Sequence, residues 1–407
     1  MISNKGGVII QFRTVALGQI ADIQTGPFGS QLHNEDYVSV GIPIVTVEHL
    51  GSRKFTTQNL PFVSEDDAKR LCKYSLKKGD IVFSRVGSVD RCSFVSEKED
   101  GWLFSGRCLR VRSNDDVDSL FLYYFLNLES TKELIRNIAV GATMPSINTQ
   151  LLSELQIKLP TLKDQHMIVS HLDCIDNLIE CFSSINENLL QLLKLRFNQL
   201  LELSNDSMPL GSIADIQTGP FGSQLHQEDY VKDGTPLVSV ENLGEFHLNR
   251  KHLPGITPED CDRLSRYLMK EGDIIFSRVG YVDRSSYVSK VEDGWMFSGS
   301  CLRIRNNDPE YALYTYLFLN TVQSRETFKS IAVGATRPSI NSSILSEFEI
   351  ELPPKLEMKH FNEYASTLES IMTVNAKVIE ELTVLRDYLL PKLMSGEIDV
   401  STLEMPN

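Results

Sequence analysis

Arg85 and Arg91 flank Gly87 directly after Ser84, and the same set recurs as Arg278, Arg284, Gly280 and Ser277. A guanidinium beside a hydroxyl and a glycine suits close approach to phosphate, or a bidentate contact with guanine O6 and N7. The alternative is a surface arginine paired with Asp80 or Asp90. Ser30, Gln31 and His33, with their counterparts Ser223, Gln224 and His226, follow a Gly-Pro turn. They either face a nucleic acid or serve the hydrogen bonds of the turn itself. A third loop offers Thr143 and Ser146, matched by Thr336 and Ser339, and ends at Asn148 and Asn341, which suit helix caps better than base contacts. In that loop Met144 gives way to Arg337, and elsewhere Arg107 gives way to Ser300, so at each place an arginine can read guanine in one copy and not in the other. Thr46/Ser239, Glu48/Glu241, His49/Asn242 and Ser88/Tyr281 are further candidates for base readout. Trp102/Trp295 and Phe104/Phe297 read as core rather than stacking platforms.

These pairs exist because the chain repeats itself. Residues 17–38 read LGQIADIQTGPFGSQLHNEDYV and residues 210–231 read LGSIADIQTGPFGSQLHQEDYV, an offset of 193. The offset holds without a gap through GDIVFSRVG (79–87) and GDIIFSRVG (272–280), DGWLFSG and DGWMFSG, and IAVGATMPSIN and IAVGATRPSIN. A period this long marks repeated domains rather than a solenoid. Each copy reads as mixed α and β. Short β-branched runs at 41–47, 80–86 and 108–112 predict strands. Ser64 predicts a helix start, and 118–136 has the length and apolar stripe of one helix. The Gly26-Pro27 turn is no phosphate loop, since neither a following Lys nor GxGxxG is present.

Each domain is followed by a heptad-like stripe. In the first, Ile168, Leu172, Ile175, Ile179, Phe182, Leu189, Leu193, Leu200 and Leu203 recur at 3–4 spacing, interrupted by Asn186 and Arg196. The second carries Phe361, Ala365, Leu368, Met372, Asn375, Leu382, Arg386 and Leu393, with Pro391 expected to end it. Two such stripes in one chain most simply bury each other, as an antiparallel pair about a pseudo-two-fold axis. The register that pairs polar with polar sets Asn186 against Asn375. It also brings Ile179 to Leu382, Leu189 to Met372 and Arg196 to the small Ala365. The expected architecture is α+β: two similar mixed domains at 1–160 and 206–353, with coiled-coil helices at 161–205 and 354–407.

The 407 residues carry a net charge of −14, which argues against a protein that grips nucleic acid through bulk charge. Residues 1–160 hold 18 basic and 18 acidic residues, so the acid is concentrated after the first unit. DNA binding then needs basic groups converging on one face, with partners supplying much of the grip. The seven cysteines form no CxxC and no His cluster accompanies them, so they read as small core side chains, not zinc ligands. No segment has the length and apolarity of a membrane span or a signal, and the chain reads as cytoplasmic.

The order domain, long helix, domain, long helix resembles the specificity subunits of type I restriction-modification enzymes. So do GPFGSQL followed by EDYV, GDI-x-FSRVG, and GAT-x-PSIN ahead of a heptad helix. The resemblance covers essentially the whole chain, twice over. It implies that each domain reads one half of a bipartite site in double-stranded DNA. It further implies that the paired helices dock two modification subunits that methylate adenine, which a restriction subunit can join. S-adenosylmethionine, ATP and Mg are then expected on those partners and no cofactor in this chain. Such subunits commonly pair dissimilar domains. Close copies, placed in opposite orientation, imply two similar half-sites in inverted repeat. Two rivals fit less well. A self-sufficient methyltransferase or nuclease lacks its motifs here: no acidic-or-Asn, Pro, Pro, aromatic tetrapeptide and no GxxxxGK[ST] occur. A coiled-coil scaffold without DNA recognition leaves the twin domains unexplained.

Overall fold

A computed structural model describes residues 11–400 apart from 28–30, 52, 142, 205, 221, 223 and 335. The chain divides into two units, Met1–Glu180 with Ile379–Asn407, and Cys181–Val378. Each holds one repeated domain together with a stretch of both long helices.

In the first unit a four-stranded antiparallel sheet runs in the order Ala21–Thr25, Cys108–Ser113, Ile81–Ser84, Cys92–Phe94. The period-2 alternation expected at 80–86 and 108–112 sends Ile81, Phe83, Leu109 and Val111 into one core. Val82 and Cys108 enter a second core, shared with Ile44, Val45, Leu103 and Phe104. That second core lies under a smaller sheet, ordered Tyr37–Val38, Phe62–Val63, Ile42–Val45, Leu103–Phe104, whose last pair is parallel. The buried Arg110 pairs with Asp22 across the first sheet, and Arg112 grips Asp80 through two bonds of 2.6 and 2.7 Å. Asp80 also accepts from the Lys77 amide at 2.7 Å. The Asp of the GDI motif is therefore a buried clamp on a neighbouring strand.

The second unit repeats this topology. Its sheets run Ala214–Thr218, Cys301–Asn306, Ile274–Ser277, Ser285–Tyr287, and Tyr230–Val231, Gly255–Ile256, Thr235–Val238, Met296–Phe297. Arg303–Asp215 and Arg305–Asp273 recur as well. Phe104 and Phe297 are fully buried, and Trp102 and Trp295 pack against the same clusters, as core residues do.

Ser64 caps Glu65–Arg70, its Oγ accepting from the Asp67 amide. The single helix expected over 118–136 is instead two, Ser119–Asn127 and Glu129–Ile138, broken at Leu128, which adopts an extended ψ of 135°. The Asn127 amide folds back onto the Tyr123 carbonyl at 3.0 Å and so terminates the first helix. Asn320 does the same to Tyr316 O at 2.8 Å.

The long helices span Leu162–Leu201 and Lys355–Ser395. In the second unit Asn375 Nδ2 donates to Asn186 Oδ1 at 2.8 Å, and Asn186 Nδ2 donates to Met372 O at 3.0 Å. Near Tyr314 the same two chain segments meet again: its hydroxyl lies 3.3 Å from Ser204 Oγ and donates to Glu351 O at 2.6 Å. The pairing is therefore antiparallel and in the register expected from the asparagines. Leu189 packs half-buried on the cluster that contains Leu368 and Met372. Arg196 is a correction: it is exposed, and Phe197 enters the cluster that holds Ala365, leaving a large ring with a small neighbour. In the first unit Ile175, Ile179 and Leu382 are half-buried, and Asp176 meets Arg386 at 3.1 Å. Pro391 does not end the second helix, which continues to Ser395. The stop is Gly396, at φ +77°, whose amide turns back to Leu393 O. No described helix is long and apolar enough to cross a membrane. The cysteines are only partly core: Cys92, Cys108 and Cys301 are buried, their thiols pushed up to about 12 by burial, whereas Cys72 and Cys181 are exposed.

Candidate nucleic-acid interface

The candidate loops converge by backbone pairing. Ser84 donates its amide to Arg91 O, so residues 84–91 close a hairpin loop. Gly87, at φ +77°, donates to Pro145 O, and Ile147 donates to Arg85 O. The RVG loop is thereby braced against the GATxPSIN loop, itself a hairpin closed by Val140 and Ser146. The second unit repeats each bond through Gly280, Pro338, Ile340 and Arg278. Thr143, Met144, Thr336 and Arg337 stand exposed on these tips. Asn148 and Asn341 are helix caps, accepting from the Leu151 and Ile344 amides at 2.8 and 2.9 Å.

The carboxylates nearest the loop arginines in sequence are engaged elsewhere: Asp80 by Arg112 and Asp90 by Arg136. Arg85 donates to Gly106 O at 3.1 Å and Arg278 to Gly299 O at 2.7 Å, which ties each to the strand end that carries Arg107 or Ser300. Arg91 lies apart from that group. It donates to Leu50 O and lines a 580 Å³ cavity with Arg53, Tyr124, Asp176 and Arg386. Arg284 instead stacks on the exposed ring of Tyr281, 4.0 Å from its centroid. Ser84 and Ser277 are corrections: both are buried, with hydroxyls donating to Val86 O and Val279 O, so they hold the loop instead of facing a ligand. Gln31 and Gln224 are likewise committed to their own fold. The Gln31 carbonyl accepts from Arg70 and its side chain from Tyr74, both at 2.6 Å, and Gln224 repeats this with Arg263 and Tyr267. Ser30 and Ser223 lie outside the described residues.

Each unit carries an open cleft at equivalent positions. The first, 530 Å³, lies between Pro27, Tyr37, Glu48, Asn59 and Arg107. The second, 700 Å³, lies between Pro220, Tyr230, Glu241, Lys251, His252, Arg278 and Ser300. The Gly-Pro turn forms one rim because Gly26 sits against the Ser105 carbonyl, where a Cβ would lie 2.2 Å from the oxygen; Gly219 repeats this at Ser298. Glu48, Arg107, Glu241, Lys251 and His252 are exposed at the cleft. His49 and Asn242, proposed from sequence as base readers, are buried caps of a short turn. His49 Nδ1 accepts from the Thr46 amide at 3.1 Å, and Asn242 Oδ1 accepts from the Ser239 amide at 3.0 Å. The two residues do the same work with different atoms, so this difference between the copies is structural. Asn59, His252 and Lys251 were missed by sequence reasoning, although the change from TTQN (56–59) to NRKH (249–252) was the available signal. Among the described residues no group of His, Cys, Asp and Glu could hold a metal ion.

Comparison with known proteins agrees with this arrangement. The model of the type I restriction modification DNA specificity domain matches twice, over residues 10–191 and 204–384. The chain is similar to the type I restriction enzyme MjaIX specificity subunit of Methanocaldococcus jannaschii, 27% identical over 323 residues and covering 71% of each chain. It is also similar to the EcoKI specificity subunit of Escherichia coli, 20% identical over 391 residues, covering 88% of this chain and 82% of that one. The crystal structure of the type I restriction-modification S subunit from M. genitalium shares the fold, with a TM-score of 0.58, 20% identity and 97% of each chain covered. With the domain present in both halves, the chain belongs to the type I restriction modification DNA specificity family.

Proposed function

We propose that this chain is the DNA-recognition subunit of a type I restriction-modification complex, each repeated unit reading one half of a bipartite site. The observation that carries the reading is the pair of equivalent clefts, each joined through Arg85 or Arg278 to a braced, exposed loop pair. Near-identical frames read similar half-sites, and tandem copies on antiparallel helices imply an inverted repeat across a gap. Methyl transfer to adenine, and any ATP- and Mg-dependent cleavage, then belong to modification and restriction subunits that carry S-adenosylmethionine, ATP and Mg. The whole assembly acts in the cytoplasm.

Docking of two modification subunits is supported by apolar side chains left exposed on the long helices. Ile185, Leu192, Leu195 and Val374 in the second unit, and Leu178, Val384, Leu385 and Tyr388 in the first, lie outside the buried stripe. The acidic net charge fits a subunit whose partners supply most phosphate contacts. The test is reconstitution with the modification subunits and sequencing of the methylated adenines. Two similar inverted half-sites are expected. Two unrelated half-sites would refute the inverted-repeat reading, and tight S-adenosylmethionine binding by the isolated chain would refute the division of labour.

A further inference from the structure

The two clefts share a frame but differ in the segment of the rim that brings a variable positive charge to it. Pro27, Leu32, Tyr37, Glu48, Pro61, Ser105 and Gly106 are matched in the second cleft by residues of the same type, 193 positions on. Asn59 and His252 even share an unusual left-handed backbone, φ +57° and +55°, so the swap changes a side chain on an unchanged support. In the first cleft the cation is the exposed Arg107, in the turn 105–107 that leads into the Cys108–Ser113 strand, and the TTQN segment (56–59) is uncharged. In the second, Ser300 replaces the arginine and its hydroxyl pairs with Ser298 Oγ at 2.7 Å. The 249–252 segment has become NRKH. There Arg250 binds Glu292 at 2.6 Å, which leaves Lys251, next to the His252 imidazole, as the charge this segment adds at the cleft beside Arg278.

We propose that this cleft reads one base pair of each half-site, with Arg107 deciding it in the first unit and Lys251, with His252, in the second. Arginine and lysine both favour guanine, whose O6 and N7 acceptors lie on one strand's side of the major-groove edge. A donor presented from a different segment of the rim approaches the pair from another side and meets the guanine of the complementary strand. The favoured pair therefore turns from G·C to C·G between the copies, and the otherwise symmetric site is broken at that position. The proposal rests on the DNA-recognition reading above.

The test uses the full complex with its modification subunits, reading the methylated motif and the relative rates on oligonucleotides that vary each position. The first variant carries Arg107→Ser, Gln58→Lys and Asn59→His; the reciprocal carries Ser300→Arg, Lys251→Gln and His252→Asn. All these positions are surface or cleft-lining, outside the cores. Each graft is expected to change the preferred pair at one position of its own half-site to that of the other. Discrimination there should shift roughly ten- to hundredfold, with the remaining positions unchanged. Grafts that keep the original preference, or that change several positions together, overturn the proposal. So does loss of all binding by one graft while its reciprocal keeps the original motif. A wild-type complex without sequence preference would instead overturn the recognition reading itself, so the two failures are told apart.

Discussion

Asn375 donates a 2.8 Å hydrogen bond to Asn186 from the facing long helix, at the one place where both apolar stripes are interrupted by an amide. Asn375 is buried, and Asn186 spends its own amide protons on Met372 O. A paired polar residue in an apolar seam fixes register, because any slip leaves both amides unsatisfied.

The pair should behave non-additively. Asn375→Leu alone leaves Asn186 Oδ1 facing an apolar side chain, and is expected to cost roughly 1–3 kcal/mol. Adding Asn186→Leu should recover most of that loss, since both unsatisfied groups are gone. Urea denaturation of the four proteins gives the coupling; a double variant as unstable as the two single losses combined would show that the asparagines act separately.

That register was readable because the sequence offers few polar residues at seam positions. The placement of Arg196 was not, since 3–4 spacing leaves Arg196 and Phe197 equally eligible and only the facing Ala365, too small to fill the space alone, selects the ring. The clamp of Asp80 on Arg112 was equally hidden. Sequence shows a carboxylate near Arg85 and Arg91, but strand pairing decides which arginine stands beside it. The loops of the recognition frame were legible through the doubled motifs. The wall at Asn59 and His252 belongs to no motif, so only its change in charge marked it.

The docking of domain onto helices differs between the copies in a way that salt should reveal. In the first unit Arg53 reaches Asp173, Asp176 and Glu180 on the long helix, Lys54 reaches Glu180 at 2.8 Å, and Arg386 and Tyr124 share Asp176. The equivalent of Arg53 is Phe246, buried against Tyr287 and Tyr316 with ring centroids 5.7 and 5.4 Å away. Arg53→Ala should cost roughly 1–3 kcal/mol, below the usual value for a fully buried ion pair because Asp173 and Glu180 remain about a third in water. Phe246→Ala should cost about 3–5 kcal/mol. Thermal unfolding at low and high salt separates them: the loss in Arg53→Ala should shrink with salt, and that in Phe246→Ala should not.

His247, beside that aromatic cluster, predicts a pH dependence. Both its ring nitrogens are buried with no hydrogen-bond partner among the described residues, and burial holds its pKa down to about 4 from 6.5. Arg250 lowers it further and Glu292 opposes both. Between these values the unfolded chain binds a proton that the folded chain refuses. The contribution is therefore complete above about pH 6.5 and lost as pH falls toward 4, by at most about 1.4 kcal/mol per pH unit. Glu369 titrates the other way, because burial raises its pKa and the folded chain keeps its proton longer. His247→Leu should flatten the stability profile of the second unit between pH 6.5 and 4; an unchanged slope would place the titration elsewhere.

The exposed apolar face of the long helices makes the last prediction. Leu195 is 61% exposed and Val374 60%, both on stretches whose opposite face is buried in the helix pair. Water-facing aliphatic residues on a well-packed helix cost the isolated chain little, yet gain about 25 cal/mol per Å2 when a partner covers them. Leu195→Glu with Val374→Glu should leave the unfolding free energy within about 0.5 kcal/mol of wild type, as surface changes do. The same pair should weaken assembly with the modification subunits by at least about tenfold, since a charge buried without a partner costs more than the apolar contact it replaces. Sedimentation of the reconstituted complex reads this directly. Assembly unchanged by both charges would move the docking surface off this face, and a matching loss of stability would mean that the two side chains serve the fold.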